Sequence, residues 1–320
     1  MTPPLDATYL LPLKATRPEV ALMAYVRGLT SVVAEVIVVD SSPEAVFRVH
    51  AERLDRKVVH LRPDVDLPMG KVANVRTGLE HARHDRVVIA DDDVRWDGDL
   101  LAEAVAALDR ADVVRPANHF RPSRWHTRWD TGRTLIARAT GGDWPGTMLV
   151  RRSALPAEGY AGDCLFENLE LVRTVRAGGG QELVLHGVVV PRDPPTTRKF
   201  LEQRVRQAYD ELARPPRFLL QLAVAPILVL GRRRAWVALT LGSVGVAELG
   251  RRRAGGTRVW PWTAALWAPA WVLERSVTSW LALGQWLRGG ARFGGVRLRR
   301  AAHSQRELAR ALEEERATAA

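Results

Sequence analysis

Two short apolar runs in this chain stop at an aspartate: Glu35–Asp40 closes on Asp40, and Arg86–Ala90 runs straight into Asp91, Asp92 and Asp93. A run rich in Val and Ile is suited to burial on both faces of a sheet, whereas a carboxylate has to leave it. Two further runs of this kind, Tyr9–Leu13 and Lys57–Leu61, alternate with segments of helical character at Pro18–Thr30 and Gly70–His84. The alternation predicts an α/β fold, a mostly parallel sheet flanked by helices. In such sheets ligands bind beyond the carboxyl ends of the strands, so Asp40 and Asp91 are expected to face one crevice.

Three adjacent carboxylates repel one another, and a core gains nothing from them. A hard cation would compensate them, since Mg²⁺ and Mn²⁺ favour carboxylate oxygens and are often held by one or two side chains plus substrate phosphates. A solvated acidic turn is the alternative. The helix opening at Gly70 adds Lys71 in its first turn, set against the helix dipole, where a nearby anion would relieve it. Val72, Val75, Leu79 and Ala82 form the buried stripe of that helix, with Lys71, Asn74 and Gly78 on another face.

After Arg214 the texture changes to four apolar runs, Phe218–Leu230, Ala235–Ala247, Val259–Leu273 and Ser276–Leu287, split by arginine triplets and by Glu274-Arg275. Each is shorter than the roughly 20 residues an upright helix needs to cross a bilayer core of about 30 Å. Seven of the eleven tryptophans fall between Trp236 and Trp286, and the segment from Pro216 onward holds 17 Arg against 6 Glu, the whole of the +11 net charge. Tryptophan and arginine gather at anionic membrane surfaces, so this region is expected to form short in-plane or re-entrant helices against a membrane. A helical subdomain packed on the rest of the chain is the other reading. Nucleic acid is not expected as a partner, because the charge is interleaved with long apolar runs.

Cys164 is the only cysteine, which excludes an intrachain disulfide and a cysteine-based zinc site. Nothing in Met1–Asp6 reads as a secretory signal, so a cytoplasmic setting is expected. Val65 and Val72 stand where a Walker loop needs Gly and Ser or Thr. Dinucleotide, serine-hydrolase and His-Glu-x-x-His motifs are also missing, and Gly178-Gly-Gly180 reads as a helix end.

Val36–Asp40, then Gly70-Lys71 with Asn74 and Gly78, then Val87–Asp93, resemble in order and spacing the donor half of a family 2 glycosyltransferase with the A-type nucleotide-sugar fold. The Gly142–Arg152 segment, Phe166–Leu171 on a helix, and Gln203-Arg-Val-Arg-Gln207 continue the similarity, which covers about Tyr9 to Arg214. The resemblance implies that Asp40 binds the nucleotide base or ribose and that Lys71, Asn74 and Gln203 lie near the nucleotide. It also implies that Asp91 contacts the ribose or metal, that Asp93 is the main ligand of Mg²⁺ or Mn²⁺, and that Arg206 steadies the leaving diphosphate. The implied organisation is a catalytic domain over residues 1–214, a membrane-associated helical region over 215–300 and a charged tail over 301–320, to which no role is assigned.

Two departures matter. Where the family carries an acidic pair ending in the aspartate base, this chain has Glu167-Asn168, and an amide accepts no proton at neutral pH. Glu167 is the first candidate base and Asp163 the second. The Gln-x-x-Arg-Trp pattern of processive members ends here in Gln207, which favours transfer of a single sugar. The expected activity is an inverting, metal-dependent transfer from a nucleotide-diphospho-sugar to a lipid-linked or membrane-held acceptor at the cytoplasmic face of the cell membrane. Nucleotidyl transfer onto a sugar phosphate, or donor binding without turnover, are the alternatives.

Overall fold

The computed structural model describes residues 3–319. Along the chain run β1 (Leu5–Leu13), α1 (Val20–Leu29), β2 (Val33–Asp40), α2 (Glu44–Arg53), β3 (Val58–Leu61), α3 (Gly70–His81), β4 (Arg86–Ala90), α4 (Gly98–Ala106) and β5 (Val113–Phe120). Then follow α5 (Trp125–Ala139), β6 (Thr147–Arg151), α6 (Glu167–Ala177), β7 (Glu182–Arg192), α7 (Thr197–Tyr209), α8 (Pro215–Leu230), α9 (Arg232–Arg252), α10 (Ala268–Leu287), the β8 (Ala291–Phe293) and β9 (Val296–Leu298) pair, and α11 (Gln305–Ala319).

The main sheet has the order β3-β2-β1-β4-β6-β5-β7. Strands β1 to β4 pair in parallel, while β6 is antiparallel to both β4 and β5. The first three strands step outward in one direction, and α3 then carries the chain back across β1 to place β4 on its other side. The order of winding therefore reverses between β1 and β4, the position where such sheets open a crevice. Register sets the edge of that crevice, with Leu13 opposite Asp40 and Leu10 opposite Ile89. Val36, Ile37, Val38 and Val39 are all fully buried, as expected for a strand covered on both faces. Helix α3 lies so close to the sheet that a Cβ on Gly78 would stand 2.1 Å from Leu10 Cδ1, which explains a glycine inside the helix.

The chain forms two compact units whose boundaries differ from the expected three regions. The first comprises residues 1–115, 146–183 and 303–320, and the second 116–145 and 184–302. The C-terminal segment is not a separate tail: α11 packs against α6 within the first unit. In the second unit α5, α9 and the segment leading to α10 meet through small residues, Ala247, Ala264, Ala265 and Ala268, around Leu135 and Trp260. A Cβ on Gly250 would stand 1.8 Å from Leu135 O, so α9 and α5 are in backbone contact.

Another difference concerns the third and fourth apolar runs. Glu274-Arg275 does not separate two helices but lies inside α10, which is continuous over 20 residues. Arg275 is buried on its inner face, so the charged pair does not interrupt the helix. No helix among the described residues is long and apolar enough to cross a membrane.

Candidate active site

The acidic turn after β4 is held rigidly within the first unit. The Asp91 amide donates to Gly146 O (2.7 Å), and Val94 N donates back to Asp91 O (3.1 Å). Trp96 N donates to the Tyr25 hydroxyl (2.8 Å), and its indole N–H donates to Thr147 Oγ1 (3.2 Å), which in turn donates to Ile89 O. Asp91, Asp92 and Asp93 are all partly exposed at the carboxyl end of β4. They neither sink into the core nor stand fully in water.

Lys71 is the centre of the arrangement. Its Nζ lies 2.6 Å from Asp91 Oδ1 and 2.9 Å from Glu167 Oε1, joining the ends of β4, α3 and α6. Burial opposes the ammonium charge, but the two carboxylates prevail and hold its pKa above the ordinary lysine range. The anion expected beside this first-turn lysine is thus a pair of carboxylates. The Tyr160 hydroxyl, also buried at this site, is pushed up by burial, although the lysine charge acts the other way.

Two expected ligand contacts are replaced by internal bonds. Asp40 is fully buried: Oδ1 accepts from Ser42 N (2.8 Å), while Oδ2 lies 2.7 Å from His50 Nδ1 and 3.3 Å from His60 Nε2. Burial disfavours its charge, yet the His60, His50 and Ser42 bonds hold its pKa well below the usual carboxylate range. Asp40 therefore does not face the crevice with Asp91; it anchors the loop after β2. Asn74 is buried too, donating to Leu13 O and Val39 O (both 3.0 Å) and accepting from Ser41 Oγ (2.5 Å). It ties α3 to the ends of β1 and β2 instead of lining a nucleotide site.

The two base candidates differ sharply. Glu167 is buried and engaged by Lys71, whereas the Asp163 side chain is 58% exposed. Behind Asp163 stands His303, a residue that sequence reasoning passed over. Its backbone N–H and Nδ1 each lie 2.8 Å from a Glu170 oxygen, Arg173 Nη1 donates to its carbonyl (2.5 Å), and its Nε2 is 3.8 Å from Asp163 Oδ2. Glu170 is fully buried. A carboxylate on one imidazole nitrogen fixes the ring and leaves the other facing the second carboxylate. With His303 and Glu170 133 positions apart, no local spacing could have revealed the pair. Gln203 and Arg206 lie on α7 in the second unit, where the Arg206 guanidinium is 4.5 Å from the Phe293 ring.

Residues 23–157, from α1 through β6, match the model of glycosyl transferase family 2. The chain carries a family 2 glycosyltransferase domain. Among solved structures the transferase resembles the mannosyltransferase PcManGT from Pyrobaculum calidifontis in complex with GDP-Man and Mn²⁺, at 19% identity over 87% of this chain and 88% of that one, with a TM-score of 0.48. It also resembles glucosyl-3-phosphoglycerate synthase from Mycobacterium tuberculosis in complex with Mn²⁺, UDP and phosphoglyceric acid (18% identity, 63% and 76% covered, TM-score 0.41). Mannosyl-3-phosphoglycerate synthase from Rubrobacter xylanophilus gives 14%, 63%, 71% and 0.43. No curated protein sequence matches the chain.

The transferase's donor set suits a hard divalent cation of a particular kind. Among the described residues no group of three or more His, Cys, Asp and Glu side chains is disposed to hold a metal. Asp91 and Asp93 offer two carboxylates at one strand end, enough for an ion that takes its remaining ligands from phosphate and water. Of the two, Asp91 is already engaged by Lys71.

Proposed function

We propose that the chain is an inverting glycosyltransferase that moves one sugar from a nucleotide-diphospho-sugar to a hydroxyl of a lipid-linked or membrane-held acceptor, at the cytoplasmic face of the cell membrane. The observation that carries the chemistry is the Asp91–Lys71–Glu167 bridge with Asp93 beside it, at the switch point of the sheet. Breaking a sugar–phosphate bond leaves negative charge on a nucleoside diphosphate, and fixed positive charge aimed at that product lowers the barrier. Mg²⁺ or Mn²⁺ on Asp93 and Asp91 would supply most of it, as a Lewis acid on the diphosphate. The Lys71 ammonium, held between Asp91 and Glu167, fixes those carboxylates beside the site.

The acceptor hydroxyl needs a base. Asp163 fills that role better than Glu167, because it is exposed and carries no ammonium at hydrogen-bond distance. His303, held by Glu170 and Arg173, positions the Asp163 carboxylate. Transfer of a single sugar follows from Gln207 standing where processive members carry an aromatic residue. Purified protein incubated with a panel of nucleotide sugars and Mn²⁺ should consume at least one donor. Asp93→Ala should abolish the metal-dependent part, a loss of at least about a hundredfold in kcat. Unchanged turnover in that variant would remove Asp93 from the mechanism, and release of pyrophosphate as product would favour nucleotidyl transfer instead.

A further inference from the structure

In the second unit α10 turns its polar side inward. On α10 the buried residues are Ala268, Trp271, Arg275, Ser276, Thr278, Ser279 and Ala282, whereas Val277, Trp280, Leu281 and Leu287 are exposed. The inner face is bonded as a polar face: Ser279 Oγ donates to Gln221 Oε1 on α8 (3.0 Å), and Thr278 Oγ1 donates to Glu274 Oε1 (2.9 Å). Arg275 Nε and Nη1 and the Trp271 indole N–H are buried without a hydrogen-bond partner among the described residues. Sixteen of the twenty exposed large apolar side chains among the described residues lie between Leu219 and Leu287. A helix surface meeting only water would carry the opposite order, because buried polar groups and exposed aliphatic ones both cost free energy.

We infer that the outer face of α8, α9 and α10 docks in the plane of an anionic lipid leaflet. Two features select this occupant. Arg232, Arg233, Arg234 and Arg258 are exposed, and none has an ion-pair partner among the described residues, so the apolar surface is bordered by unbalanced positive charge that suits anionic headgroups. Trp236, Trp262 and Trp280 are 47%, 70% and 49% exposed in the same unit, with the Trp280 indole N–H already donating to Leu222 O (3.2 Å), so that its ring can enter the acyl boundary without a stranded donor. A second copy of the chain meeting this face across a two-fold axis would bring the same arginines against one another, which disfavours that occupant. No helix among the described residues is long and apolar enough to cross the bilayer, so the contact is lateral. This docking surface specifies the membrane partner named in the functional proposal, and it stands independently of the sugar chemistry.

Flotation of the full chain with vesicles tests it. The protein should float with phosphatidylcholine vesicles containing phosphatidylglycerol, and much less with phosphatidylcholine alone. Combined Leu219→Ser, Trp262→Ser and Leu281→Ser replacements, all at exposed positions, should abolish flotation while leaving the circular dichroism spectrum and nucleoside diphosphate binding unchanged. Reversing Arg232, Arg233 and Arg234 to Glu should weaken binding to anionic vesicles by about fivefold or more per residue at low salt. Wild-type protein that stays unbound with both vesicle types overturns the inference. So does a stable dimer, seen by analytical ultracentrifugation, that the serine variant dissociates. Nucleotide binding measured on the same preparations separates failure of this inference from failure of the transferase reading.

Discussion

In the first unit β2 and β4 bury every Val and Ile, and charge stands at the carboxyl edge of the sheet; in the second, Arg138 and Arg275 are among the largest fully buried side chains, while leucines and tryptophans stand outside. Arg138 donates to Gly250 O, His186 O and Arg253 O, and burial lowers its pKa to about 10. The contrast teaches what each unit is built to meet. The first has a wet, charged edge suited to phosphate and metal. The second turns polar residues of α10 inward and leaves leucines and tryptophans of α8, α9 and α10 exposed.

Several substitutions can break or sharpen that contrast. The largest stability loss is expected at Gly250, where a valine would force α9 off the α5 backbone; Gly250→Val should cost about 3 kcal/mol or more, read as a fall in the denaturant midpoint. Glu170→Ala strips His303 of both hydrogen bonds to the carboxylate and should cost about 2 to 3 kcal/mol, with a fall in kcat that exceeds any rise in KM. His303→Asn, whose amide can still reach Glu170, should recover stability but not the full rate.

Asp40→Asn should cost about 1 to 3 kcal/mol near neutral pH. The sign follows from the depressed folded-state pKa: Asp40 contributes stability above the ordinary aspartate range, and the contribution is lost as pH falls through and below it. The variant should therefore show a flatter acid limb in its stability profile than the wild type, measured by urea denaturation at stepped pH. The smallest effect is expected at the outer face of α10. Leu281→Ser should change stability in aqueous buffer by no more than about 0.5 kcal/mol, because that side chain is already 53% exposed. A large loss there would mean the residue is packed, and the comparison between the units would fail.

The parallel strands, the covering helices and the acidic turn after β4 were legible from short apolar runs because neighbours in sequence determine them. Lys71 was legible as a cation in search of an anion, and Asp91 and Glu167 answer it. Asp40 was misread because its partners, His50 and His60, sit 10 and 20 residues downstream, where no spacing rule pairs them with a strand end. Asn74 shares the cause: its bonds reach back 61 and 35 residues to Leu13 and Val39. The reading of Glu274-Arg275 as a break failed because charge in an apolar run usually signals exposure, whereas here it belongs to an inward polar face. His303 was invisible for the same reason as Asp40, at greater distance in the chain.

The central claim is that the turn after β4 holds a divalent ion on Asp93 and presents it to a diphosphate. Isothermal titration of a nucleoside diphosphate into wild type and Asp93→Asn, each with and without Mn²⁺, tests it most directly. The account predicts that Mn²⁺ tightens binding to the wild type by tenfold or more and has no such effect on the variant, on the order of 1.4 kcal/mol of coupling. Equal tightening in both proteins, or none in either, would contradict it.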